Sequence, residues 1–245
     1  MNNVLIIGEQ HPKVALLKSL LNDNIEFVSE NSIKLPQVTS SSYAHEVLDS
    51  CLTHNIHTVL PLISKAIMAL SESKVLFEEY GIEVLALHGS EYGILRTALE
   101  EHFAESKPVK NFSEFSKLML ELGYPNDRIA IGELNGLGNL IEIDDSCKEP
   151  LNIWCMPGKA SFIQLNKLFS KGEFNPVTLY KLFSNEKIEQ LDFLLWNKKT
   201  EVPIDHEKPI VSLLLNKFKE LKIYGFFEIT LCGSQIVRIK TQQIC

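Results

Sequence analysis

The chain opens with a β-branched apolar run, Val4 to Ile7, closed by Gly8, which is the pattern of a strand buried on both faces of a parallel sheet. Pro12 suits a first helical turn, and Val14, Leu16, Leu17, Leu20 and Leu21 then supply an apolar stripe that ends at Asn22-Asp23-Asn24. Ile25 to Val28 predicts a second strand. After a polar, serine-rich connection from Thr39 to Ser42, a helix is expected through Val47, Leu48 and Leu52, followed by a strand from His57 to Leu62. Lys65 to Tyr80 reads as one helix stopped by Gly81 at a left-handed cap position, and Ile82 to Leu87 as the next strand. Repeated βα units of this kind imply a right-handed, doubly wound parallel sheet.

The texture changes from Ile94 onward. A helix there is followed by another from Asn111 to Gly123, with Asn111 and Glu114 spaced as a capping box and Phe115, Leu118, Met119 and Leu122 forming its buried face. Arg128 to Ile131 and Leu140 to Ile143 read as two strands of a hairpin around a turn containing Gly136 and Gly138. Asn152 to Met156 and Ala160 to Leu165 are expected as strands broken by Pro157-Gly158, with helical stretches after them. Pro209 to Ile223 carries Ile210, Leu213, Leu214, Phe218 and Leu221 at helical spacing, and Phe226 to Leu231 with Ile236 to Lys240 closes the chain as a hairpin. The expected fold class is therefore an α/β region with a Rossmann-like parallel sheet, then an α+β region with antiparallel sheets. The boundary is placed at 93/94.

Bulk composition narrows the partners. With 45% apolar and 22% charged residues the chain can bury a core, and a formal charge of -7 argues against nucleic acid or an anionic membrane surface as a partner. Only Arg96, Arg128 and Arg238 supply guanidinium groups, so phosphate chemistry would lean on lysine. Cys51, Cys147, Cys155, Cys232 and Cys245 are widely spaced without a C-x-x-C pair and read as reduced thiols. The first residues lack a basic, long apolar leader, and a cytoplasmic location is expected.

Several short segments carry a resemblance. Thr58-Val59-Leu60-Pro61-Leu62-Ile63, Ala69-Leu70-Ser71 and Tyr80-Gly81-Ile82-Glu83-Val84-Leu85 are similar to the pre-ATP-grasp domain of carbamoyl-phosphate-synthetase-like carboxylate–amine ligases. Phe112 to Pro125 resembles the small-lobe helix before the ATP-grasp glycine-rich hairpin, Met156-Pro157-Gly158 the adenine-contacting hinge, and Tyr224 to Ile229 the strand leading to the metal site. The resemblance implies a pre-ATP-grasp domain over 1–93 and a reduced ATP-grasp-like domain over 94–245, with a small lobe at about 105–150 and the remainder at 151–245.

The resemblance also implies ATP and magnesium as cofactors, and a site to hold them. The first phosphate lysine falls near Arg96-Thr97, where Arg96 is a partial substitute; Gly136 and Gly138 match the loop over the triphosphate, Met156 the adenine hinge, and Trp154 stands where the usual hinge acid lies and would offer its backbone alone; Glu228 matches a metal carboxylate. At other matching positions the charge is missing. The second phosphate lysine falls near Gly132-Glu133, the ribose acid near Ala160, and the terminal Glu-Ile-Asn metal motif within Arg238-Ile239-Lys240-Thr241-Gln242, where its sign is inverted.

Plainer readings accompany each of these. A two-glycine turn needs no ligand, Gly8 lacks G-x-G-x-x-G spacing, and for Glu228 a surface or salt-bridged glutamate is the favoured reading, given the lost neighbours. His54 and His57, three apart, lack further ligands, and Gly89-Ser90-Glu91-Tyr92-Gly93 is no nucleophile turn. Three functions follow. The first is an ATP-grasp-like protein with weakened or lost ligase activity, acting as a binding, regulatory or partner subunit or as a homo-oligomer. The second is an active divergent ligase using Arg96, Lys107, Lys110 or Lys159 for phosphate and Glu133, Glu142 or Glu228 for magnesium. The third is a small-molecule sensor whose ligand lies in the crevice lined by Ser64 and the Gly8 loop.

Overall fold

A computed structural model describes residues 2–20, 25–133, 140–146, 158–171, 176–183, 185–196, 199–201 and 208–241. The chain divides into two compact units, the first drawn from the described parts of Met1–Leu99, Asp192–Glu228 and Thr241–Cys245, the second from those of Glu100–Leu191 and Ile229–Lys240.

The N-terminal part of the first unit runs β1 (Asn2–Ile7), α1 (Val14–Leu20), β2 (Ile25–Ser29), α2 (Glu30–Ile33), α3 (Tyr43–Thr53), β3 (Ile56–Pro61), α4 (Ser64–Glu72), α5 (Lys74–Glu79), β4 (Glu83–Val84) and α6 (Gly89–Ala98). The four strands form a parallel sheet of order β2-β1-β3-β4. Alternate residues of β1 go to opposite faces, as the period of a strand requires. Leu5 and Ile7 join Val47, Val59, Leu70 and Phe77 in one core cluster. Val4 and Ile6 join Leu17, Leu60, Leu194, Trp196 and Phe226 in another. The sheet is thus covered on both faces, as its apolar strands predict.

Two elements differ from the expectation. The single helix from Lys65 to Tyr80 is two, α4 and α5, separated at Ser73, whose backbone (φ -101°, ψ 11°) leaves the helical well. The strand from Ile82 to Leu87 shortens to Glu83–Val84 because the Ala86 amide turns back onto the Val84 carbonyl (3.0 Å).

The second unit contains β5 (Ser106–Val109), α7 (Phe112–Glu121), β6 (Arg128–Glu133), β7 (Ile141–Ile143), β8 (Gly158–Ala160), α8 (Phe162–Lys171) and β9 (Val177–Leu182). Its five-stranded sheet has the order β5-β9-β6-β7-β8. Pairs β5–β9, β6–β9 and β6–β7 are antiparallel, but β7–β8 is parallel, so the expected antiparallel sheet is a mixed one. Helices α7 and α8 cover one face through Phe115, Met119 and Leu165 against Ile129, Ile131 and Leu179, with Phe115 and Phe162 rings 5.8 Å apart. On the opposite face Ala130, Leu140 and Tyr180 join a core cluster with Cys232 and Val237 from near the end of the chain.

The expected strand from Ala160 to Leu165 is corrected to the start of α8. Ser161 and Gln164 form a reciprocal cap, with Ser161 N donating to Gln164 Oε1 (2.8 Å) and Gln164 N to Ser161 Oγ (3.3 Å), and this commits Phe162 onward to a helix. Conversely, Asn111 caps no backbone group; its side chain donates to Glu114 Oε1 instead (2.9 Å). The segment after α8, expected to be helical, pairs as β9, with Val177, Leu179, Tyr180 and Leu182 buried and Thr178 and Lys181 between them less so.

The chain ends with β10 (Ile188–Trp196), β11 (Lys199–Glu201), α9 (Pro209–Glu220), β12 (Gly225–Cys232) and β13 (Gln235–Thr241), whose sheet has the order β11-β10-β12-β13. Helix α9 buries Ile210, Val211, Leu214 and Phe218, and the Phe218 ring lies tilted 4.6 Å from that of Phe227.

Candidate functional site

Glu228 lies in the middle of β12, whose eight residues are all buried, and its side chain is only 6% exposed. A carboxylate kept charged at such a position costs several kcal/mol unless a cation meets it. That cation is Lys13, which enters from the turn between β1 and α1. Its Nζ sits 3.5 Å from Glu228 Oε2, forms a closer ion pair with Asp192 of β10, and lies 5.9 Å from the centre of the Phe226 ring. One ammonium group therefore bridges two carboxylates over an aromatic face.

His11, 6% exposed, belongs to the same turn. The Lys13 amide donates to His11 Nδ1 (3.1 Å), so the neutral ring carries its proton on Nε2. Burial, and then the Lys13 charge, lower the His11 pKa from its ordinary 6.5, while Asp192 opposes them.

Two carboxylates converging on one point are the beginning of a magnesium site, which wants about six oxygen ligands. Here the point belongs to an ammonium group. Like charges 4 Å apart repel by roughly 4 kcal/mol per unit of charge at an effective dielectric of about 20, so a divalent ion would have to displace Lys13. Strand β13, next to β12 in the sheet, carries buried Arg238 and Lys240 where the resemblance places a metal motif. Among the described residues no group of three or more His, Cys, Asp or Glu side chains is arranged to hold a metal ion. Glu228 as it stands does not fit magnesium.

The second unit has its own group of charged side chains on the sheet face away from α7 and α8. Arg128 Nε donates to Glu142 Oε1 (2.7 Å), and its Nη1 to the carbonyls of Phe183 (2.9 Å) and Glu186 (2.5 Å). Lys159 pairs with Asp144 (3.0 Å); the Ser146 hydroxyl first, and Lys159 with it, hold the Asp144 carboxyl down at about 2. Arg238 Nε donates to Thr230 Oγ1 (3.3 Å), and one of its terminal nitrogens lies 3.6 Å from where a Cβ on Gly132 would stand. A side chain at 132 would thus start in van der Waals contact with a guanidinium from another strand.

The sequence-derived residues fall as follows. Arg96 is in the last turn of α6, half-buried. Lys107 pairs with Glu121 (2.8 Å), Lys110 is exposed just past β5, and Glu142 is held by Arg128. Gly136, Gly138, Trp154 and Met156 lie outside the described residues, as do Cys147, Cys155 and Cys245 and the side chain of Glu133. Cys51 and Cys232 are free thiols, and burial pushes Cys51 up to about 12.

In the crevice at the carboxyl ends of β1 and β3, Gly8 takes a left-handed φ of +97°, and the amides of Gly8 and Glu9 both donate to the Glu30 carboxylate (2.9 Å each). The loop's anion-binding amides are occupied by the protein itself. At the opposite ends of β3 and β4 a cavity of about 450 Å³ is lined by Lys74, Glu83, Glu91, Lys222 and Tyr224. In it Lys74 pairs with Glu91 (2.9 Å) and Glu83 accepts from Trp196 Nε1 (2.7 Å).

Sequence reasoning passed over Lys13, His11 and Asp192. A signal for Asp192 exists: a lone acid within Leu191-Asp192-Phe193-Leu194-Leu195-Trp196 must find a cation or lie at a rim.

Comparison with known proteins fits this architecture. Residues 22–85 match the family described as PylC-like, N-terminal domain. The structure is similar to a RimK-domain ATP-grasp protein from Sphaerobacter thermophilus (TM-score 0.51, 14% identity, over 98% of this chain and 90% of that one). It is also similar to N5-carboxyaminoimidazole synthetase from Staphylococcus aureus complexed with ADP (TM-score 0.53, 12% identity, over 99% and 70%). A third likeness is to an L-amino acid ligase from Bacillus licheniformis (TM-score 0.53, 11% identity, over 98% and 68%). No curated protein matches the sequence. The chain has the ATP-grasp fold, with a Rossmann-like parallel sheet at its N-terminal end. Among the described residues no helix is long and apolar enough to cross a membrane.

Proposed function

We propose that this protein is an ATP-grasp-fold chain in which ligase activity is weakened or lost, and that it works by binding, as a regulatory or partner subunit or as a homo-oligomer in the cytoplasm. The observation that carries this reading is Lys13. Its ammonium group sits between Glu228 and Asp192, the carboxylates that a metal-dependent reaction would need for its cation. Ordinary ion pairs of Lys107 with Glu121 and Lys159 with Asp144 add support, since each cation already has an acid beside it.

A ligase of this kind phosphorylates a carboxylate with ATP and lets an amine displace the phosphate, which demands cationic groups on the triphosphate and carboxylates on magnesium. Titration calorimetry with Mg-ATP, joined to an assay of ADP release over a panel of carboxylates and amines, tests the proposal. The expected result is no magnesium-dependent turnover. Tight magnesium-dependent ATP binding with ADP released in step with a carboxylate and an amine would instead establish the active, divergent ligase built on Arg96, Lys107, Lys110 or Lys159.

A further inference from the structure

We infer that Lys13 is a tethered cation which fills, and thereby closes, a latent divalent-metal position between Asp192 and Glu228. The inference rests on the reading of a lost metal site and names the residue responsible for the loss.

Three observations converge on it. Asp192 stands on β10 and Glu228 on β12, adjacent strands of one sheet, and their carboxylates reach the same nitrogen atom. The side chain of Glu228 is 6% exposed and that of Asp192 21%, so their charges are far better met by a fixed cation than by water. The Lys13 stem is held at its start by the His11 contact to its own amide, and its head faces the Phe226 ring, an arrangement that suits a monovalent ammonium. A side chain costs nothing to recruit from solution, whereas a free ion must be bound at its ambient concentration, so a resident ammonium makes the pair independent of metal supply.

The discriminating variant is Lys13→Met, which keeps the apolar stem and removes the charge, with Lys13→Arg retaining it. Mn2+ serves as the probe, read by electron paramagnetic resonance of the bound ion and by the melting temperature of the full chain. Wild type and Lys13→Arg are expected to show no Mn2+-dependent rise in melting temperature; Lys13→Met is expected to bind Mn2+ at least tenfold more tightly and to melt higher with it. Adding Glu228→Gln to Lys13→Met is expected to abolish both effects. If Lys13→Met does not fold alone, recovery of the fold by Mn2+ supports the inference. Failure of Mn2+ to restore it, or a folded Lys13→Met that binds Mn2+ no better than wild type, overturns it. Binding of Mn2+ to wild type that Glu228→Gln removes also overturns it. None of these failures bears on ATP turnover, which the calorimetry and ADP assay decide separately.

Discussion

Glu228 was readable in the sequence as a carboxylate on an apolar strand, but the sign of its surroundings was not, because Lys13 and Asp192 are 179 residues apart and meet only in the folded chain. The same holds for Arg128, whose acid lies 14 residues away on a neighbouring strand and whose carbonyl partners lie 55 and 58 away. His11 provides a test of this polar turn. Its folded pKa lies below 6.5, so as pH falls the unfolded chain takes up the proton first. The stability held by the neutral ring is whole above about pH 6.5 and is lost as acidification proceeds from there toward the folded value. Urea unfolding at about pH 8 and about pH 5 should therefore give a larger loss of midpoint in wild type than in His11→Gln, and equal losses would remove His11 from the account.

Helices and strands were legible where their period was long and their ends marked. The parallel β1, β2 and β3 follow from β-branched runs closed by turns, and α9 from Pro209 at its start with four buried positions at helical spacing. The misread pieces are short ones. Ala160 to Leu165 is six residues of apolar texture that suits either state, and only the Ser161–Gln164 reciprocal cap decides it. Register within the mixed sheet depends on side chains far along the chain and left no local mark. Gly123, by contrast, is a strong local signal. It follows α7 with φ +100°, and a Cβ there would run into the Asp127 carboxylate, which pairs with Lys181 (2.7 Å). Gly123→Ala should cost about 1–3 kcal/mol, measured by urea unfolding, from the left-handed backbone and the displaced ion pair together. An unchanged midpoint would mean that the α7–β6 turn relaxes freely.

The ATP-grasp plan was recoverable from the order of several individually weak segments, since each needs a particular neighbour and together they admit one arrangement. The grouping of Asp192–Glu228 with the N-terminal βα units was not recoverable, because contacts across such separations leave no local pattern. Yet β10 and β12 each run through the boundary between the two compact units, so each strand contributes residues to both. An optical reporter for this exists. Of the two tryptophans, Trp196 is 3% exposed and donates to Glu83, so a Trp154→Phe protein would fluoresce from one indole in a dry, hydrogen-bonded setting. Its emission should lie to the blue and shift red when β4 and β10 part, at the same denaturant concentration as the loss of far-ultraviolet ellipticity. Gly123→Ala, in the other unit, should move both signals by the same amount. A single buried ring thus becomes a gauge of whether the two halves melt as one thermodynamic body.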